Sequence, residues 1–256
     1  MSATASYTEL ARSGGRGALV TVLLGPNAGA KLLVLPDGST EGSLGDQALE
    51  MAAARHADEL MWIERAERRD EAGTTLFIDV TFPPPRLFIF GAVDFAAALS
   101  RLARAAGWRP FVVDPRARFA QPQRFPDAEQ VVAAWPEEAF ERLGGVDRAT
   151  AIAVLTHDPK LDDAALIIAL RSQAAYIGAM GSRRAQESRR ERLLAKGVDE
   201  ADLERIAAPI GLDLGALTAE ETALSIMAEI VAMRYGREGG RLAHAKGRIH
   251  EVGAEA

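Results

Sequence analysis

Pro83-Pro84-Pro85 constrains this chain more than any other stretch. Proline brings no amide hydrogen to a sheet ladder, and its fixed φ stiffens a run of prolines into an extended form. The triplet therefore closes one folding region and separates it from the next. After it, short apolar segments alternate with helical ones: Leu87–Phe90, then a helix from Phe95 to Ala106; Pro110–Val113; Val131-Val132; Ala151–Leu155, then a helix from Asp162 to Ser172; Tyr176-Ile177, then a helix from Arg183 to Lys196; and a last helix from Ala219 to Tyr235. Wholly apolar strands alternating with helices predict a parallel sheet covered on both faces. Before the prolines the pattern differs. Ala18–Leu24, Lys31–Leu35 and Ser39–Leu44 read as strands joined by turns at Pro26-Asn27 and Asp37-Gly38. Gln47 to Arg69 reads as a helix, with Leu49, Ala53, His56 and Leu60 at helical spacing, and Thr74–Phe82 as a further strand. The expected fold class is α/β: a Rossmann-like parallel sheet with helices on both faces, preceded by a small α+β N-terminal domain.

Composition narrows the function. A formal charge of −6 argues against a nucleic-acid binder held by a general basic field. The absence of cysteine excludes disulfides, thiolate metal sites and thiol nucleophiles, and it fits a reducing compartment. No apolar run approaches the roughly 20 residues needed to span a bilayer. Arg12 and Arg16 before Ala18–Leu24 resemble a signal peptide, but Gly25-Pro26-Asn27 and a second apolar run follow at once, so strand–turn–strand explains both better. A cytoplasmic protein is expected. His244 and His250 stand far from any acid cluster, and no metal site is expected. Trp62, Trp108 and Trp135 read as packing residues.

In an open α/β sheet, ligands bind beyond the C-terminal strand ends. Five loops there carry the candidates. Gly91-Ala92-Val93-Asp94 keeps only the first glycine of a dinucleotide fingerprint, with Val93 and Ala96 in the other two places. Asp114, 23 residues past Gly91, suits a ribose hydroxyl or a turn before Pro115; Arg116 suits a phosphate or solvent. Thr156-His157-Asp158-Pro159 puts an imidazole beside a carboxylate, and ligand positioning fits it better than acid–base work. Lys160, Asp162 and Asp163 read as an exposed helix start, and Asp162 reads equally well as its cap. Gly178-Ala179-Met180-Gly181-Ser182-Arg183-Arg184 reads as a strand end, a tight turn that lets the backbone approach a ligand, and the start of a basic helix. Ser182 caps that helix, and two arginines sit where the helix dipole favours an anion. An ordinary strand-to-helix turn with surface arginines is the plainer reading. Gly211 and Asp213 lie in a loop leading to Thr218, whose spacing to Glu221 matches a capping box.

These residues carry a resemblance. Phe90 to Ala98, Val113 to Ala120, Arg124-Phe125-Pro126, Leu155 to Lys160, Tyr176 to Arg184 and Pro209 to Gly215 follow one another over roughly 150 residues in the order and spacing of the XdhC/CoxI family. Ala30 to Leu33 and Gly42 to Gly45 resemble that family's smaller domain. The family comprises accessory proteins for molybdenum hydroxylases such as xanthine and carbon-monoxide dehydrogenases. The resemblance implies a small N-terminal domain over 1–82 and a Rossmann-like domain over 86–236; the glycine-, charge- and alanine-rich composition beyond it predicts a flexible tail over 237–256. It implies a cofactor-binding chaperone rather than a catalyst. Its ligand would be molybdenum cofactor, as molybdopterin or its dinucleotide. Its partners would be a hydroxylase apo-enzyme and a cysteine desulfurase, with a homodimer among the expected assemblies. The cofactor site would draw on Gly91, Ala92, Asp114, Arg116, His157, Asp158, Gly178, Met180, Gly181, Ser182, Arg183, Arg184, Gly211 and Asp213. Many relatives carry a cysteine after the Gly-Ser turn; here Gly42-Ser43-Leu44-Gly45 leads into Asp46-Gln47. An NAD(P)-dependent oxidoreductase on the same sheet is the competing function, and a structural hydroxylase subunit with an empty pocket is a third.

Overall fold

A computed structural model describes residues 2–245. It divides into two compact units between Pro83 and Pro84. The first is built on a five-stranded antiparallel sheet in the order β3-β2-β1-β5-β4. Helix α1 (Ala3–Arg12) precedes β1 (Gly17–Leu24), β2 (Lys31–Val34), β3 (Thr40–Ser43), α2 (Gln47–Ile63), β4 (Glu67–Glu71) and β5 (Thr74–Thr81). Val20, Val22, Leu32, Leu76 and Ile78 pack under Ala53, Ala57, Leu60 and Met61 of α2. Leu19 and Leu33 point the other way, to Ala3 and Tyr7 of α1. Period-two alternation thus sends one strand's side chains to two different helices. Arg16 is buried: its guanidinium donates to the Met61 carbonyl at 2.6 Å and pairs with Glu64 at 2.9 Å, closing the C-terminus of α2.

Two features of this unit depart from the sequence expectation. Helix α1 has no counterpart in it, and the helix expected to reach Arg69 stops at Ile63. Glu64 turns left-handed, with φ 57°, and Glu67–Glu71 becomes an edge strand paired to β5. Five consecutive charged residues make a poor strand by propensity. Pairing overrides propensity here, and the charges find partners: Arg69 with Glu59 and Glu67, His56 with Glu71, and Asp70 with Thr75. Charge on an edge strand also blocks unwanted sheet pairing.

The second unit holds β6 (Arg86–Phe90), α3 (Asp94–Ala105), β7 (Arg109–Val113), β8 (Gln130–Val132), α4 (Pro136–Arg142), β9 (Thr150–Val154), α5 (Pro159–Leu170), β10 (Tyr176–Ala179), α6 (Arg183–Ala195), α7 (Glu200–Leu203), β11 (Ile206–Ala207) and α8 (Ala219–Arg234). Its six strands run parallel in the order β11-β10-β9-β6-β7-β8. Numbered within the unit, that order is 6-5-4-1-2-3, the doubly wound arrangement. Leu87, Ile89, Ala151 and Ala153 meet α3 and α8. Phe88, Phe90, Ile152 and Val154 meet α4, α5 and α6 on the opposite face, with the Phe90 and Phe140 rings 5.1 Å apart. Helix α8 starts with the Thr218–Glu221 capping box read from the sequence. Trp108 is buried under the Arg234 guanidinium, whereas Trp135 is 49% exposed and packs less than expected.

Asp162 and Asp163 correct the reading of an exposed helix start. Helix α5 begins earlier, capped by Asp158, and both following carboxylates are buried. Asp163 accepts from Arg192 at 3.0 Å and Lys196 at 2.7 Å; Asp162 pairs with Arg189 at 2.9 Å. These pairs tie α5 to α6. After α8, Gly239 lies against Leu212 so closely that a side chain there would meet it at 2.5 Å. Leu242–His244 forms a short 3-10 turn, and residues 246–256 of the expected tail, His250 among them, lie outside the described residues.

Limited proteolysis should release a resistant fragment beginning near Leu87, with cuts at the Pro83–Pro84 junction or in the loops before it. Digestion with no such intermediate would show one cooperative core running across the prolines.

Candidate functional site

Adjacent strands β6 and β9 are the switch point of the parallel sheet. The chain leaves β6 for α3 on one face and β9 for α5 on the other, so their loops diverge and open a cleft. That cleft has a volume of about 460 Å³. Its apolar lining is Val93, Phe95, Leu155 and Met180; Arg116, Thr156, His157 and Asp158 supply the polar part.

Gly91 sits at the crossing point. Its φ is 113°, and a Cβ would meet Thr156 Cγ2 at 2.6 Å. Glycine is required so that the β6 and β9 exits can touch. Asp114, at the end of β7, fixes this loop from the other side. Its carboxylate is fully buried and accepts from the Ala92 amide at 3.0 Å, the Arg116 amide at 2.9 Å, Arg116 Nε at 2.9 Å and Arg116 Nη2 at 2.8 Å. A carboxylate offers about four lone-pair sites, and these four bonds occupy them all. Asp114 therefore braces the loop and has no acceptor left for a ribose hydroxyl. Burial alone would raise its pKa; the Arg116 side chain and the two amides outweigh that and hold it below the ordinary carboxylate value. Arg116 then lays its guanidinium over the Phe119 ring at 4.6 Å and forms a fixed cationic wall. Arg124 closes the floor, donating to the Ala92 carbonyl at 3.0 Å and to Asp94 at 3.3 Å.

The opposite wall is held by a separate network. Thr156 Oγ1 donates to Asp162 Oδ1 at 2.5 Å and accepts from the Asp158 amide at 3.0 Å. Arg189 Nη2 donates both to Asp162 Oδ2 and to the Met180 carbonyl, each at 2.9 Å. Gln186, bonded to Arg189, donates to the carbonyls of Ala179 at 3.2 Å and Gly181 at 3.1 Å. Arg189 Nε is buried without a partner among the described residues. Burial pushes the Asp162 carboxyl up, against the pull of Thr156 and Arg189.

The structure brings Gly91, Ala92, Asp114, Arg116, His157, Asp158 and Met180 to this one cleft or directly beneath it. Gly181, with φ 138°, makes the turn after β10, and Ser182 caps α6 by accepting from the Ala185 amide at 3.3 Å. The amides of Arg183 and Arg184 come before any intrahelical acceptor. Arg183 is among the residues lining a second cleft of about 420 Å³, with Arg190, Glu200 and Pro209, and Arg184 is exposed. Gly178 is not a turn residue. It lies inside β10, paired with Ala153 and Ala207, and a Cβ would meet Ile210 and the Tyr176 hydroxyl at 2.5 Å. Its smallness serves packing, so the close approach read from the sequence is to Ile210. Gly211 has φ 99°, abuts Ser225, and donates its amide to Glu229 at 2.7 Å, beside the Tyr176 hydroxyl on the same carboxylate oxygen. Asp213 is exposed on that loop. Sequence reasoning missed Thr156, Asp162, Gln186 and Arg189. Gln186, Arg189 and Leu193 do share one helical face by spacing, and a buried Leu193 signals that this face turns inward.

The fold is a Rossmann-type unit with a cleft at the switch point, preceded in sequence by a small antiparallel unit. Two family descriptions match the chain: the XdhC Rossmann domain over residues 87–230, and the XdhC and CoxI family over residues 10–69. The chain belongs to the XdhC/CoxI family. It is similar to a probable xanthine dehydrogenase subunit of Bacillus subtilis (strain 168), with 32% identity over 161 residues, 63% of this chain and 46% of that one. It is also similar to the molybdenum cofactor insertion chaperone PaoD of Escherichia coli (strain K12), with 28% identity over 156 residues, 61% of this chain and 42% of that one. This chain thus matches less than half the length of these curated relatives. Among solved structures, a xanthine dehydrogenase from Bacillus halodurans shares the fold, with a TM-score of 0.61 and 23% identity, covering 89% of this chain and 65% of that one. Among the described residues no helix is long and apolar enough to cross a membrane.

Because the folded-state pKa of Asp114 lies below its unfolded value of about 3.9, its bonds stabilise the fold above that pH and are lost as pH falls through the folded value. Asp114→Asn should cost about 2–3 kcal/mol near pH 7, below the usual loss for a broken buried pair because Arg116 reaches solvent. Thermal unfolding from pH 7 down to about 2 should show wild type and variant drawing together below about pH 4. A pH-independent gap would mean that shape, not charge, is what Asp114 supplies.

Proposed function

We propose that this protein is an accessory factor that binds molybdenum cofactor in the switch-point cleft. It would support the cofactor's sulfuration and its insertion into a hydroxylase of the xanthine or carbon-monoxide dehydrogenase type. Membership of the XdhC/CoxI family and similarity to an insertion chaperone support the maturation role. The observation that carries the site is the lining of the cleft. Where a dinucleotide-binding loop would let its backbone meet a pyrophosphate, Val93 lines the wall and Asp94 adds negative charge. Instead of a phosphate cradle, the cleft offers apolar side chains and a guanidinium braced by Asp114. That combination suits a flat, polar-edged ring such as a pterin.

The phosphate belongs at the start of α6, next to Met180, where unpaired amides and the helix dipole favour an anion. The cofactor itself supplies the molybdenum chemistry once delivered to the hydroxylase. This chain's residues bind, orient and shield it. With no cysteine in the chain, sulfur must pass through the partner desulfurase, whose thiol does what no side chain here can do.

Molybdopterin binding, followed by fluorescence of the released pterin, should weaken about tenfold in Arg183→Ala and in Arg184→Ala, with normal folding in both. Wild-type affinity in both variants would move the phosphate away from α6. NAD and NADP, oxidised or reduced, should bind no tighter than about 1 mM. Micromolar binding with turnover would make the oxidoreductase reading the better one.

A further inference from the structure

Asp162 on α5 and Arg189 on α6 form a nearly enclosed ion pair, with side chains only 3% and 5% exposed. Taking two charges out of water is unfavourable, and well-packed apolar residues would hold α5 against α6 at least as firmly. The neighbouring Asp163 shows what a simple tie between these helices looks like: its partners Arg192 and Lys196 extend to solvent, 35% and 48% exposed, and lie on α6 and the residue just after it. The enclosed pair differs in where its remaining bonds go. Asp162 Oδ1 accepts from Thr156, whose oxygen holds the Asp158 amide. Arg189 donates to the Met180 carbonyl, and through Gln186 it reaches the carbonyls of Ala179 and Gly181. Two loops 24 residues apart in sequence therefore end on one pair of charges. The far wall of the cleft, Ala92 and Arg116, hangs instead on Asp114.

We propose that Asp162 and Arg189 are positioning residues that lock loops 156–158 and 180–182 together, so that the His157 side and the α6 start of the cleft keep one fixed spacing. The locking follows from the geometry; that it serves a pterin ligand rests on the function proposed above. A rigid pair of loops would present the ligand groups already placed, sparing the ordering cost at binding. It would also explain why an ion pair occupies a place where packing alone would serve stability.

Amide hydrogen exchange and molybdopterin binding, measured on the full chain, test this. In Asp162→Asn, exchange in both loops should rise together by about tenfold or more, while β7 and α3 keep wild-type protection. Molybdopterin affinity should fall about tenfold, as for the loss of a charge-assisted contact. Asp163→Asn, which removes the other buried carboxylate of α5, should leave both loops and the affinity as in wild type. Equal loosening in the two variants, or no loosening in Asp162→Asn, would overturn the proposal. Should Asp162→Asn not fold, Thr156→Val removes the hydroxyl at constant shape. It should loosen 156–158, and Thr156→Ser should restore it; unchanged exchange in Thr156→Val would overturn the lock. A wild-type protein that does not bind molybdopterin, yet whose loops loosen together in Asp162→Asn, would support the lock and count against the cofactor reading.

Discussion

A parallel sheet buried on both faces leaves its chain few places to be polar. In the second unit β9 is buried from Thr150 to Val154 and β6 from Leu87 to Phe90. Every polar group that could meet a ligand is displaced to the loops beyond the strand ends. Those loops would be mobile without support, and here two buried carboxylates supply it. Asp114 braces the β6 exit against β7, and Asp162 braces the β9 exit against α6. The cleft is therefore made by apolar burial and given its shape by charge.

The two carboxylates do this in different electrostatic settings. Asp114 is held by a guanidinium that still reaches water and by two amides, and their bonds outweigh burial and favour its ionised form. Asp162 is enclosed together with Arg189, and burial works against its charge. The first brace resembles a surface pair pulled inward; the second lies inside the protein. Arg189 Nε beside Asp162 is buried without a partner among the described residues. Buried polar networks of this kind are costly when partly satisfied and specific when complete.

Much of the second unit was legible in the sequence because apolar strands and capped helices obey short-range rules. Leu87–Phe90, Ala151–Leu155 and the Thr218–Glu221 cap needed only local pattern. The first unit was harder. Glu67–Glu71 is a strand only because Thr74–Ile78 lies beside it, and no local property of five charged residues reveals that. The site shows the same division. Gly91, Arg116, His157 and Met180 were legible as residues at strand ends. Gly178 looked like a turn glycine because the two glycines of that stretch have the same composition signal; only the position of Ile210 shows that one serves packing. Asp162 looked exposed because an acidic pair at a helix start usually is, and its partner lies 27 residues away.

The cleft also differs from a dinucleotide site on the same topology in what its first loop presents. A dinucleotide site on this topology depends on backbone: glycines withdraw their side chains so that amides reach a pyrophosphate. Here Val93 and Ala96 occupy two of those places, and Ala96 is buried in the packing of α3. Restoring the glycines would remove Val93 from the cleft wall and take a methyl from the helix interface. The loop presents side chains where a dinucleotide site presents backbone, and Asp114 is taken up in holding Arg116. A surface of side chains needs them held still, and each wall of the cleft has its own buried acid to do so.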